Sequence, residues 1–371
     1  WMESIQVSKG ASSVMNGYES IPGQINVEYK KPSNSEKFYL NLFADHMGRV
    51  EANANGAVKL NDRWSTALFG HNDERFVRHD MNHDSFIDQP LVKQLSFFNR
   101  WEFQGSKPWH IQFGAKILDE SRTGGQMDYD RDLPREEQSQ IYGIEIDTRR
   151  YEAFAKIGRV FEQRRETSFG FINSFSYHDQ QTVFGLNDYA GDQVSWHSNF
   201  IFSTYIRTAD HKINAGWSVN FDDFNEMFND SAFLSKEMVP GLFAEYTFTV
   251  HEKLTLLAGM RIDFHNLYGT FVTPRLHVKY HPDEHTTLRI SAGKGSRTAH
   301  IFAENTSMLV SSRDIIVSEP LEQEIAWNAG ISVNRHFEIG SRELAVSADF
   351  YRTSFVNQII MDMETDRHNI F

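Results

Sequence analysis

Between Lys253 and Lys294 the chain changes polarity at almost every residue. Leu254, Leu256, Ala258, Met260, Ile262 and Phe264 are apolar, whereas Thr255, Gly259, Arg261, Asp263 and His265 between them are small, polar or charged; Leu257 is the exception. After a break at Asn266–Phe271 the alternation returns, with Leu276, Val278 and Tyr280 set against Arg275, His277, Lys279 and His281. Beyond Pro282-Asp283-Glu284, Leu288, Ile290 and Ala292 alternate with Thr287, Arg289 and Ser291. A period of two sends successive side chains to opposite faces of a strand. The pattern therefore predicts three neighbouring strands with one apolar face and one face carrying Arg261, Arg275 and Arg289. Such a charged face suits the solvated side of a soluble sandwich or the lumen of a membrane barrel. Two features favour the barrel. The runs are about ten residues long, the length a tilted strand needs to cross a bilayer, and short turns alternate with long loops.

Composition agrees with a barrel without requiring one. The chain has 371 residues, 40% of them apolar, yet no stretch approaches the roughly twenty apolar residues of a membrane helix. A mean hydropathy of -0.50 looks soluble, but a barrel hides its lipid face in alternation. Aromatic residues at 13% suit interfacial girdles and a large sandwich equally. The net charge of -13 argues against a nucleic-acid partner. There are no cysteines, so no disulfide framework exists to report on the compartment. Trp1 is not a start residue and nothing like a signal peptide precedes it, so an internal fragment or a processed form is expected. No Gly-x-Ser-x-Gly, His-Glu-x-x-His or Walker loop is present, which points away from an enzyme, although barrel enzymes can use Asp and His at the rim.

Taken in order, Glu3–Lys9 and Gln24–Lys31 read as short strands around Gly10, Ser13, Gly17 and Gly23. Longer strands follow at Phe38–Ala44, Val50–Leu60, Trp64–Gly70, Leu91–Phe103 and Trp109–Leu118. Polar stretches at residues 73–90 and Asp119–Gln138 read as long loops. Placing every short turn at one end requires a strand running through to Phe161, a turn at Glu162–Glu166 and a rise through Phe169–Tyr177. Leu186–Asp192 and residues 222–236, 266–272 and 295–319 are then outside loops. Ala209–His211, Val250–Glu252, Pro282–Glu284 and Asn334–Gly340 are short turns. The count reaches about fifteen strands by residue 360, an odd number that leaves an unpaired edge.

Two groups of residues carry a family likeness. Ile5-Gln6-Val7-Ser8-Lys9-Gly10, Ser13, Asn16-Gly17 and Gly23-Gln24-Ile25-Asn26-Val27 resemble the closing part of the plug domain of TonB-dependent outer-membrane transporters, with Pro22 where the family often has a small residue. Thr273-Pro274-Arg275-Leu276, Leu288-Arg289 and Ala292-Gly293-Lys294-Gly295-Ser296-Arg297-Thr298-Ala299 look like that family's mid-barrel signature. The resemblance covers nearly the whole chain and is nearest to receptors of Bacteroidetes-type bacteria. It implies an all-β fold: an antiparallel transmembrane barrel of about 22 strands around a plug. Residues 1–33 would be the C-terminal part of the plug and residues 34–371 the barrel, incomplete at its C-terminus, with about seven strands to follow. It implies a place in the outer membrane of a Gram-negative cell, among its lipid. The implied activity is uptake of a scarce ligand: a siderophore (hence iron uptake), haem, cobalamin, a metal chelate or a glycan. Energy would come from the TonB complex through a box not present in these residues. A receptor or adhesion barrel without transport, or a passive porin, are the alternatives.

The lumen-facing charges Arg261, Asp263, Arg275 and Arg289 are expected to meet a polar plug, because buried charges need partners. In a porin they would instead set ion selectivity. The resemblance gives Gly10, Ser13, Gly17 and Gly23 structural places in the plug motif. Arg297, His300, Phe302 and Asn305 stand in a long external loop and are candidate ligand contacts. No cofactor is required. Asp80, Asn82, Asp84 and Asp88 match the first part of an EF-hand-type Ca²⁺ loop, but Ser85 and Leu91 replace its glycine and its bidentate glutamate. A solvated acidic loop is the alternative there, and His71, His79, Met81 and His83 offer copper or zinc ligands. The seven tryptophans read as interfacial belt or barrel packing.

Overall fold

The computed structural model describes residues 1–19, 23–105, 108–132, 134, 140–161, 164–317 and 319–371. Pro22 and much of the expected turn at Glu162–Glu166 fall outside them. An N-terminal hairpin pairs β1 (Met2–Lys9) with β2 (Gly23–Tyr29), and a short 3-10 turn at Val14–Asn16 lies between the two. Everything else is dominated by one antiparallel sheet. Its first strands are β3 (Tyr39–Ala44), β4 (Arg49–Lys59), β5 (Trp64–Arg75), β6 (Leu91–Gln104) and β7 (Trp109–Gly125). The middle is built from β8 (Gly143–Phe161), β9 (Arg164–Phe184), β10 (Asn187–Tyr205), β11 (His211–Phe228) and β12 (Ser231–Val250). Then come β13 (Leu254–His265), β14 (Gly269–Asp283) and β15 (Thr286–Arg297). A long connection holds a one-turn helix α1 (Ile301–Glu304), a 3-10 turn (Thr306–Val310) and β16 (Asp314–Ile315). It leads to β17 (Glu324–Ile339) and β18 (Arg342–Asn357); β19 (Asn369–Ile370) pairs with β16 alone.

The sheet has 15 strands in the order β18-β17-β15-β14 and onward to β3, each hydrogen-bonded to its sequence neighbour. Only nearest-neighbour pairing of this kind can curl into a barrel wall without crossing connections. Register fixes which side chains share a face. Arg261 pairs with Thr273 and Phe243, Gly259 with Arg275, and Arg275 with Gly293, so these residues project inward together. Met260, Ile262, Leu276, Ile290, Trp327 and Phe350 project the other way and are exposed. An outward face of exposed aliphatic and aromatic residues is what hydrocarbon covers.

The two ends differ. At one end every connection among the described strands is short: residues 60–63, 206–210, 251–253, 284–285 and 340–341. At the other, residues 76–90, 126–142 and 298–323 are long. Short turns mark the periplasmic end and long loops the outside. A band of outward rings follows the short-turn end, from Trp64, Trp101 and Phe113 through Trp109 and Phe169 to Phe200 and Trp217. Trp1 is not in this belt; it lies inside, against Phe69 at 5.7 Å.

Several boundaries correct the sequence reading: residues 334–339 continue β17 and only 340–341 turn, and residues 73–75, 269–272 and 295–297 are strand rather than loop. Leu186–Asp192 and residues 222–236 are not loops: β9 to β12 run 18–21 residues and join through turns at 185–186 and 229–230. The strands stand well beyond the about ten residues a bilayer needs. Their outer halves mix polar residues such as Asp222, Asp223 and Asn225 with aromatics such as Phe224, Phe228 and Phe233, so strict alternation fades while the hydrogen-bond ladder continues. The stretch 119–125 is likewise strand rather than loop, for the same reason.

Candidate functional site

The N-terminal segment is fastened to the inner wall, and Arg275 is the principal clamp. Its Nη1 donates to the carbonyls of Ser12 (2.9 Å) and Ser13 (2.7 Å), and its Nη2 to that of Gly17 (3.0 Å). One guanidinium thereby answers three carbonyls of a segment with little backbone pairing of its own. Ser13 caps the 3-10 turn by accepting from Met15 N–H, and its hydroxyl donates to Glu245 Oε2 at 2.6 Å. Asn199 Nδ2 donates to the Met15 carbonyl at 3.1 Å. Val14 is fully buried over Gly259, where an added Cβ would stand 2.8 Å from a Val14 methyl. Gly10, Gly17 and Gly23 all have positive φ (+77°, +103° and +148°), a region open to glycine and strained for other residues. At Gly10 a Cβ would in addition meet the Tyr351 ring at 2.8 Å.

Arg261 and Asp263 form a different unit. Both are inaccessible to solvent; Arg261 Nε donates to both Asp263 oxygens at 2.8 Å and its Nη2 to Ser218 Oγ at 2.6 Å. They neutralise each other within the wall rather than holding the N-terminal segment. Arg289 is exposed, in a lumen cavity of about 650 Å³ that it shares with Lys9, His277, Lys279 and Asp349. Several inward residues act here that the motifs did not single out: Glu245, Asn199 and Arg100, whose Nη1 donates to the Tyr29 carbonyl at 2.7 Å. Their alternation marked them as inward. Which of them reach the N-terminal segment depends on register.

At the outer end the 298–323 connection crosses from β15 to the tips of β9–β12. Phe302 is buried between Phe228 (5.4 Å) and Phe233 (4.6 Å). His300 lies on Phe224 at 4.6 Å and 3.7 Å from Glu237 Oε1. Glu237 Oε2 also accepts from Thr298 and lies 3.0 Å from His265 Nε2. Arg297 bridges Glu304 (2.8 Å) and Glu324 (2.7 Å), and Asn305 donates to the Ile301 carbonyl at 2.9 Å. Ala303 N–H donates to Glu226, and Asn187 donates to the carbonyls of Leu309 and Ser311. The four residues singled out as ligand contacts, Arg297 at the end of β15 and the other three on the loop, are thus engaged in seating the loop over the mouth.

In the 80–91 loop the acidic oxygens are turned onto the loop's own amides. Asp80 accepts from Asp84 N–H (3.1 Å) and Ser85 N–H (2.9 Å), Asp84 from Phe86 N–H (2.8 Å), and Asp88 from Met81 N–H (2.8 Å). Asn82 Nδ2 donates to Asp84. Among the described residues no group of three or more His, Cys, Asp or Glu side chains is arranged to hold a metal ion.

The architecture has known counterparts. Residues 12–370 match the family described as TonB dependent receptor-like, beta-barrel. The chain belongs to the TonB-dependent receptor family. Members of this family are outer-membrane proteins, and the apolar outward face places this barrel there too. Similar solved structures include the siderophore receptor PirA from Pseudomonas aeruginosa, 13% identical with a TM-score of 0.70 over 100% of this chain and 65% of that one. A mutant of the ferric enterobactin receptor PfeA from Pseudomonas aeruginosa is 13% identical with a TM-score of 0.73 over 98% of this chain and 59% of that one. The alcaligin outer-membrane receptor FauA from Bordetella pertussis is 13% identical with a TM-score of 0.70 over 96% and 58%. The chain therefore spans less than two-thirds of these receptors' length. No curated protein matches the sequence.

Proposed function

We propose that this chain is the larger part of a receptor that actively takes up a scarce ligand across the outer membrane, driven by the TonB complex. Residues 1–33 are read as the end of its plug and residues 34–371 as its barrel wall. The observation that carries the reading is the Arg275 clamp. A segment gripped by a buried guanidinium through three carbonyls obstructs the lumen, which an open diffusion pore has no use for. The 298–323 loop seated across the mouth adds a second obstruction on the outer side. The ligand passes through unchanged, so no catalytic group is needed. Siderophore, haem, cobalamin, another metal chelate and glycan are the ligand classes, and the structural likeness to siderophore receptors favours a ferric chelate among them.

Uptake of radiolabelled ferric chelates by cells carrying the gene, with and without TonB, tests the proposal. Accumulation that disappears without TonB is the expected result. Equal accumulation in both strains, together with solute flux through the purified protein in liposomes, would overturn the reading in favour of a porin.

A further inference from the structure

Arg159 is an arginine on the wrong face. Its neighbours Gly158 and Val160 flank it on β8, and strand pairing sets it opposite Trp109 on β7 and Phe169 on β9. Trp109 and Phe169 belong to the outward aromatic band, so Arg159 too faces lipid. Its guanidinium lies 5.1 Å from the Trp109 ring and 5.4 Å from the Phe161 ring. Phe169 closes the frame, 5.9 Å from Trp109 and 6.2 Å from Phe161. The Nε atom is sealed beneath these rings without an acceptor. Among the described residues no carboxylate lies within ion-pair distance of Arg159, and its side chain donates no hydrogen bond. Two residues before the end of β8, it stands at the short-turn end, where the hydrocarbon of the inner leaflet gives way to headgroups.

An always-charged group facing lipid needs an anion, and the described residues supply none. The rings hold the guanidinium by cation–π contact and bury its Nε, while its Nη groups are not among the sealed atoms. We propose that Arg159, framed by Trp109, Phe161 and Phe169, is a binding site for the phosphate of an inner-leaflet phospholipid. The planar fork suits two phosphate oxygens, and the surrounding rings suit the glycerol backbone and the first methylenes of the acyl chains. This site rests on the outer-membrane placement of the barrel and not on the uptake reading: transport could fail with the lipid still bound.

Native mass spectrometry of the detergent-purified protein, with phosphatidylglycerol added, reads the site directly. The wild type should retain one lipid more tightly than Arg159→Gln by about five-fold, the worth of one interfacial arginine. Arg159→Lys, which keeps the charge and loses the stacked plane, should fall between them. A diacylglycerol with the same chains and no phosphate should not be retained, and millimolar inorganic phosphate should not displace the phospholipid. Equal retention by wild type and Arg159→Gln, retention of the diacylglycerol, or displacement by free phosphate would each overturn the assignment. Should Arg159→Gln fail to fold by its strand circular dichroism, Trp109→Leu removes one wall of the frame and is expected to lower retention likewise; undiminished retention there would also overturn the assignment.

Discussion

Residues 260 and 261 are neighbours in β13 and live in opposite worlds. Met260 is 55% exposed, whereas Arg261 is completely buried. In a soluble protein the order would be reversed, since arginine is almost never fully buried unless paired. Here the sheet has hydrocarbon on one side and a filled polar interior on the other. The outward face needs only to be apolar, and neighbouring side chains there are nearly independent of one another. On the inward face a buried charge needs a specific partner, because each unpaired group in a dry interior carries its full desolvation cost. The outer face is therefore tolerant within one class of residue, and the inner face is exacting residue by residue.

Substitutions on either side of β13 can break that contrast or sharpen it. Arg261→Ala strands the buried Asp263 carboxylate and should destabilise the barrel by about 3–5 kcal/mol, read as a lowered urea midpoint of the refolded protein. A loss no larger than that of a surface substitution would show that water reaches the pair. On the lipid side, Met260→Arg should cost about 2–4 kcal/mol if that residue lies near the bilayer midplane. In detergent, where the belt is adaptable, the same change should cost much less than in bilayers. Gly259→Ala should push Val14 off the wall, with a cost of about 1–3 kcal/mol. Its signature is early proteolysis within residues 10–18 while the barrel stays intact; an unchanged cleavage pattern would detach Val14 from this seat. The smallest effect belongs to the outer loops. Ser85 has φ +70° in the loop held by Asp80, so Ser85→Gly should stabilise that loop by about 0.5–1 kcal/mol, seen as slower local hydrogen exchange.

Much of the lower barrel was legible from residue order. Within the bilayer the two solvents differ so strongly that selection for one or the other is written into every second position, and the alternation in Leu254–Ala292 states both the strands and their faces. Beyond the bilayer the outward face no longer meets hydrocarbon, polar and aromatic residues mix along the strands, and residues 186–192 and 222–236 read as loops although they are paired strand. The candidate site divides in the same way. Arg275 and Gly259 could be placed on the inner face from parity alone. Their relation to Ser12, Ser13 and Val14 could not, because more than two hundred residues separate them and only strand register brings them together. The loop residues Arg297, His300, Phe302 and Asn305 were visible as polar and aromatic groups on an external connection. That they turn inward onto Glu324, Glu237, Phe228 and the loop's own backbone follows from the path of the loop across the mouth.

The order of residues by itself determined that this chain is a sheet with a lipid side and a polar side, because a period of two is a local property of the backbone. Only the tertiary structure decided which inward charge answers which partner. Arg275 holds the N-terminal segment, Arg261 holds Asp263, and Arg289 lies exposed in the cavity. The physical reason is that a buried charge is satisfied by a hydrogen-bonding or oppositely charged group within about 3 Å, and what lies within that distance is set by the curvature of the wall and the register between strands, which no local pattern encodes.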